Sequence, residues 1–182
     1  GLLVAGSAIA ATPATASRYD PLKAFAPFHY QYPANRYRSA NGMPGPDYWQ
    51  NRVDYSIRAK LDPESRTLSA TETFTYTNNS PDTLRFLWLQ MDQNRYKPDA
   101  RGNFSAAHAP KPADHTDGYR IASVEVKGPG GFVKAHTTVS DTRMRIDLPE
   151  ALKPEGGKVE VRIVYSYTMP GRFGGRTDWY PT

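Results

Sequence analysis

Val159-Glu160-Val161-Arg162-Ile163-Val164-Tyr165-Ser166-Tyr167 carries the clearest alternation in this 182-residue chain. Val159, Val161, Ile163, Tyr165 and Tyr167 fall on one side of an extended backbone, Glu160, Arg162 and Ser166 on the other. A period of two built on β-branched and aromatic residues marks a strand with one face in a core. Working back toward the N-terminus, Pro149 to Gly157 reads as a connector. Before it, Met144, Ile146 and Leu148 alternate with Arg143, Arg145 and Asp147, behind a short turn at Ser140-Asp141. Ile121 to Lys127 and Phe132 to Val139 read as two further strands joined by Gly128-Pro129-Gly130-Gly131.

The upstream half repeats the pattern. Val53, Tyr55, Ile57, Ala59 and Leu61 alternate with Asp54, Ser56, Arg58 and Lys60, which predicts a half-buried strand ending at the turn Asp62-Pro63-Glu64-Ser65. Thr67 to Thr77 follows, with Leu68, Ala70, Phe74 and Tyr76 on one face. Glu72 shares that face and needs a partner if it is buried. Asn78-Asn79-Ser80-Pro81-Asp82 is a turn. Leu84 to Met91 places Leu87, Leu89 and Met91 on one face and Phe86 and Trp88 on the other, which predicts a strand covered on both sides. Residues 92–118 read as a long polar loop. About seven strands and no sustained helical period predict an all-β domain. Short turns favour antiparallel pairing, as a β-sandwich or one large curved, saddle-like sheet with an irregular N-terminal arm.

Three segments are expected. Residues 1–16 resemble the end of a signal peptide: a short apolar run from Gly1, then Ala14-Thr15-Ala16 in a small-x-small cleavage pattern. That predicts an exported protein, periplasmic or secreted. Residues 17–50 form an arm rich in aromatics and proline, including Tyr19, Phe25, Phe28, Tyr30, Tyr48 and Trp49. Residues 51–182 form the β domain, read as cut at its C-terminal end.

The net charge of +5 does not predict a nucleic-acid partner. From residue 51 onward 19 Lys and Arg are interspersed with 16 Asp and Glu, with no basic run or basic helix. The apolar leader is too short for stable membrane insertion. Cysteine is absent, which excludes disulfides and thiolate metal sites.

Motifs that carry chemistry are missing. There is no HExxH, which would set two zinc ligands and a base on one helical face. There is no Gly-x-Ser-x-Gly elbow and no dinucleotide or phosphate loop. Gly171-Arg172-Phe173-Gly174-Gly175-Arg176 is glycine-rich but precedes no helix signal. His29, His108, His115 and His136 are scattered. A metal reading of His108 and His115 with Asp114 and Asp117 competes with a plain solvated loop, which is preferred. Asn78-Asn79-Ser80 and Asn103-Phe104-Ser105 fit the glycosylation sequon. No catalytic and no metal-binding residue is assigned, and substrate-binding residues are unknown.

From about Trp49 to Tyr180 the chain resembles the N-terminal domain of M1-family, aminopeptidase N-like zinc metallopeptidases. Three stretches carry the resemblance: Val53 to Pro63 with Leu68 to Ser80, paired opening strands ending in an Asn-x-Ser turn; Leu84 to Gln90; and Val159 to Tyr167 with its glycine-rich exit to Trp179-Tyr180. Tyr19-Asp20-Pro21-Leu22 and Pro44-Gly45-Pro46-Asp47-Tyr48-Trp49-Gln50 look like exported bacterial members. The resemblance implies a domain that is inactive alone. It would cap one side of a peptide-binding cavity and pack on a downstream catalytic domain of the same polypeptide, which would carry the zinc. The Phe86 and Trp88 face, or the aromatics of residues 19–49, would form that interface. The competing reading is a free-standing β-sandwich module of the cell envelope that binds a glycan or a protein through its aromatic arm.

Overall fold

The computed structural model describes residues 34–104, 115–171, 177 and 179. The chain divides into two compact units, Gly1–Tyr48 and Trp49–Thr182. The leader and the greater part of the aromatic arm lie outside the described residues.

In the first unit, residues 34–48 make a small irregular loop closed by one antiparallel bridge, Arg38 to Pro44. The side-chain Oδ1 of Asn35 accepts from the amides of Tyr37 and Arg38, each at 2.9 Å. Arg36 pairs with Asp47 across the loop. A Cβ at Gly45 would stand 2.4 Å from the Arg36 carbonyl oxygen, so only glycine fits there.

The second unit is a two-layer antiparallel β-sandwich. Its strands are β1 (Arg52–Asp62), β2 (Thr67–Asn78), β3 (Leu84–Gln90), β4 (Arg120–Gly128), β5 (Gly131–Lys134), β6 (Thr137–Ser140), β7 (Arg143–Leu152) and β8 (Gly157–Thr168). A five-stranded sheet has the order β1-β2-β8-β4-β5 and a three-stranded sheet the order β3-β7-β6. The alternation in β8 puts it at the centre of the larger sheet. It pairs with β2 from Thr67↔Thr168 to Asn78↔Gly157, and with β4 from Arg120↔Ser166 to Val126↔Val161. The core forms where the two inner faces meet. Phe74, Val124, Val126, Val161 and Ile163 come from the larger sheet, Leu87, Met144 and Ile146 from the smaller, and Met91 from just beyond β3. Val126, Val161 and Ile146 are fully enclosed. Burying each such side chain stabilises the fold by about 1.5–3 kcal/mol before ordering costs.

The structure corrects the expectations from sequence at five places. Residues 132–139 are not one strand. They break at Ala135-His136, where the chain leaves the larger sheet for the smaller. The Ala135 amide donates to the Val124 carbonyl at 2.9 Å and the His136 carbonyl accepts from the Asp147 amide at 3.0 Å, so each side of the break is tied to a different sheet. The expected connector at 149–157 is strand as far as Leu152. Its pairing with β3 jumps from Phe86↔Asp147 to Leu84↔Leu152, a bulge that accommodates Pro149, which has no N–H to donate.

β1 is not half-buried. It is an edge strand, and Tyr55, Ile57 and Leu61 are exposed, because the smaller sheet is too narrow to reach over them. The outer face of β3 is likewise uncovered by the described residues, so the alternation of Phe86 and Trp88 does not report burial on both sides. Finally, the segment after β3 is anchored rather than freely solvated. It folds as 3-10 turns at Asp92–Tyr96 and Arg101–Phe104, with Gln93, Asn94, Tyr96 and Ala100 buried.

Candidate docking cleft

β1 and β3 are edge strands of opposite layers, and no described strand closes the sandwich between them. The opening is a cleft of about 420 Å³, walled by Trp49, Val53, Tyr55, Phe74 and Tyr76 on one side and by Leu84, Phe86, Leu87, Trp88 and Leu89 on the other, with Ile146 at its floor. Alternation places the β1 wall, while along β3 the cleft takes in side chains of both faces. Val53 and Tyr55 share the inner face of β1, and Tyr55 sits opposite Phe74 of β2 with ring centroids 5.7 Å apart. Phe86 and Trp88 meet edge to face at 6.1 Å, and the Arg145 guanidinium lies 4.2 Å from the Phe86 ring centre. Tyr55 and Trp88 are each 58% exposed, too much large apolar surface for a finished core.

Polar groups fix the mouth of the cleft. The Asn51 side chain donates to the Tyr76 hydroxyl at 2.7 Å and accepts from the Asn79 amide at 2.8 Å. Asn78 is fully buried. Its amide donates to the carbonyls of Asp82 at 2.7 Å and Lys153 at 3.0 Å, while its oxygen accepts from the Ser80 hydroxyl at 2.6 Å. The first sequon is therefore a structural latch, closed to a glycan.

A second cluster lies on the same inner face of the larger sheet, beyond the end of β3. Tyr119 stacks edge-on against Tyr165 at 5.5 Å and Tyr167 at 5.3 Å. The Tyr165 hydroxyl reaches Glu72 at 3.5 Å, so the carboxylate finds only a weak partner. Desolvation pushes the Glu72 carboxyl up, and it pushes the hydroxyls of Tyr119, Tyr165 and Tyr167 up as well. The adjoining cavity, about 70 Å³, is small for a ligand of any size.

Of the four histidines, His115 and His136 are described, and neither belongs to a group that could hold a metal ion. His136 Nδ1 is 2.7 Å from Asp147, which also accepts from Arg145. Asp117, one member of the weighed metal set, is paired with Arg120. His29, His108 and Asp114 lie outside the described residues. Among the described residues no group of three His, Asp or Glu side chains could hold a metal ion, so no zinc chemistry is placed on them. No described helix is long and apolar enough to cross a membrane.

Sequence reasoning anticipated the Phe86 and Trp88 face and the need of Glu72 for a partner. It missed Tyr119, which approaches from the loop, and Asn94, which accepts from the Tyr119 amide at 3.0 Å and donates to the Asp141 carbonyl at 2.8 Å. The open cleft was also invisible, because alternation does not report the widths of the two sheets.

No protein-family model and no curated protein matches the chain. Among solved structures it is similar to an M1 zinc metallopeptidase from Deinococcus radiodurans, at 16% identity and a TM-score of 0.42, covering 64% of this chain and 21% of that one. It is equally similar to a mutant of that protein bound to a Tyr-Ser-Ala substrate, with the same figures. A two-domain M1 zinc metallopeptidase mutant bound to L-tryptophan also matches at 16% identity and TM-score 0.42, covering 70% of this chain and 22% of that one. The chain thus spans about a fifth of the length of these structures.

Proposed function

We propose that this chain is a non-catalytic β-sandwich domain of an exported M1-like zinc metallopeptidase. In this reading it shapes one wall of the peptide cavity and packs, through the cleft between β1 and β3, on a catalytic domain of the same polypeptide. The zinc, the peptide-cleaving groups and the peptide itself belong to that second domain.

The observation that carries the reading is the unfinished sandwich. Tyr55, Phe86 and Trp88 line an open apolar cleft whose polar rim is already hydrogen-bonded internally. A contiguous exposed apolar surface of this kind marks a site where something docks. The sequence resemblance from Trp49 to Tyr180 supports the choice of partner.

Two measurements test it. The isolated chain, supplied with zinc and an aminoacyl reporter, is expected to show no turnover; robust hydrolysis overturns the proposal. The reading frame after Thr182 is expected to encode HExxH followed by a distant Glu, and a stop codon there overturns it. In that case the free-standing binding module becomes the better reading. A cleft of about 420 Å³ with aromatic walls falls in the size range of ligand sites.

A further inference from the structure

A sheet edge is a row of unpaired N–H and C=O groups, and proteins blunt such edges with short strands, bulges or proline. Among the described residues, three of the four sheet edges follow this rule. β5 and β6 have four residues each, and β3 is bulged between Leu84 and Phe86. β1 does not. It runs eleven residues, pairs with β2 without interruption from Arg52↔Thr77 to Asp62↔Thr67, and among the described residues has no strand on its other side.

The order of charges along β1 indicates what fits there. The strand reads Arg52-Val53-Asp54-Tyr55-Ser56-Ile57-Arg58-Ala59-Lys60-Leu61-Asp62. Laid antiparallel on a second copy of itself about Ile57, it sets Arg52 opposite Asp62 and Asp54 opposite Lys60. The same register sets Val53 opposite Leu61, Tyr55 opposite Ala59 and Ile57 opposite Ile57. Each acid then meets a base, every apolar residue meets an apolar one, and no like charges face each other directly. A one-residue slip of the pairing would set side chains of opposite faces against each other. Cross-strand pairs of this kind are the unit of sheet stabilisation.

We infer that β1 is a self-association edge: two copies of the chain join β1 to β1 about Ile57, forming a continuous ten-stranded antiparallel sheet. The two-fold axis of such a pair is perpendicular to the sheet, so both inner faces stay on one side. The dimer uses the edge of β1 and leaves the cleft wall on β3 uncovered. Val53 and Tyr55 of β1 also line that cleft, but association of this chain alone is measured without the proposed catalytic partner, so failure of either proposal is read separately.

Sedimentation velocity of the chain from about 1 µM to about 200 µM is expected to show a monomer–dimer equilibrium. Lys60→Asp, at an exposed position, places a like charge opposite Asp54 twice per dimer and is expected to weaken association about tenfold or more. The double variant Asp54→Lys/Lys60→Asp restores opposite charges and is expected to restore the dimer. Because the chain has no cysteine, Ile57→Cys gives a single thiol at the two-fold axis, expected to form a disulfide-linked dimer on oxidation, whereas Tyr55→Cys is not. A wild-type chain that stays monomeric overturns the inference. So does a dimer indifferent to Lys60→Asp, one not restored by the double variant, or equal cross-linking of the two cysteine variants.

Discussion

The side-chain amide of Asn78 donates to the carbonyl of Lys153, 3.0 Å away and 75 residues later in the chain. It ties the β2–β3 turn to the β7–β8 turn, and the Gly156 amide returns a bond to the Asn78 carbonyl at 2.7 Å. Asn78→Ala strands two carbonyls and the Ser80 hydroxyl in a buried setting and is expected to cost about 2–3 kcal/mol. Gly157 lies in the same latch: a Cβ there would stand 2.3 Å from the Lys153 carbonyl oxygen. Gly157→Ala is expected to cost about 1–3 kcal/mol through forced backbone movement. Urea unfolding of the two variants checks both figures.

The contact of His136 with Asp147 marks the crossing between the sheets. The bond from His136 is the largest of the influences that hold the Asp147 carboxyl below its ordinary range, and Arg145 adds to it. A folded-state pKa that is depressed contributes stability above the unfolded value, and that contribution is lost as pH falls through the folded value. His136→Ala is therefore expected to raise the Asp147 pKa toward its ordinary range. Its destabilisation should be present at neutral pH and vanish in strong acid. A carboxyl NMR titration with parallel pH-dependent unfolding reads both.

Glu72 has the opposite sign. Burial raises its pKa, so its protonated form is favoured in the folded state. That contribution is fully present below the ordinary carboxylate pKa and is lost as pH rises through the raised value. Glu72→Gln is expected to be more stable than the wild type at neutral pH and to flatten the pH profile just above the ordinary carboxylate range. Thermal melts across that range test it, and a variant less stable at every pH refutes it.

The tyrosine trio extends the same argument to alkali. Tyr119, Tyr165 and Tyr167 all hold their protons more tightly when folded, chiefly through desolvation. Their contribution is present below the ordinary tyrosine pKa and is lost as pH climbs above it. An ultraviolet titration is expected to show these rings ionising above the ordinary tyrosine range, together with unfolding. Tyr119→Phe should delay the alkaline transition.

Position in the sandwich separates two apolar residues of adjacent strands. Trp88 is exposed, and Trp88→Ser is expected to change stability by less than about 0.5 kcal/mol while reducing binding of an apolar dye. Ile146 is fully buried at the cleft floor, and Ile146→Ala is expected to cost about 2–5 kcal/mol. Denaturation and dye fluorescence on the same pair of proteins separate the two roles.

The strands were legible because alternation is a local property. β8 could be read from Val, Ile and Tyr at every second position, β2 from Thr alternating with Leu, Ala, Phe and Tyr, and β7 from alternating Met, Ile and Leu. What alternation does not encode is the far side of each face. Tyr55 and Ile57 carry the pattern of a half-buried strand, yet they lie at an edge that the three-stranded layer does not reach. The break at Ala135-His136 was hidden for a related reason. A strand changing sheets keeps extended backbone on both sides, and only its hydrogen-bond partners change. Of the candidate cleft, the exposed Phe86 and Trp88 were readable as a second apolar face. Its opposite wall was not, since it depends on which strands become neighbours.

The central place of β8 has a consequence for how the domain comes into being. β1 and β2 are neighbours in sequence and can pair as soon as both exist, as can β4 and β5. Nothing joins these hairpins into one sheet until β8 inserts between them, bringing together groups as far apart as Tyr165 and Glu72, 93 residues distant. Closure of such long loops is slow, and until it happens the Phe74, Val124 and Val126 faces are open to water. The β8 strand is thus a keystone in time as well as in space. During synthesis the larger sheet waits for residues 157–168 to emerge, and any ribosomal pause before them prolongs the interval in which the unmatched hairpins can find the wrong partner.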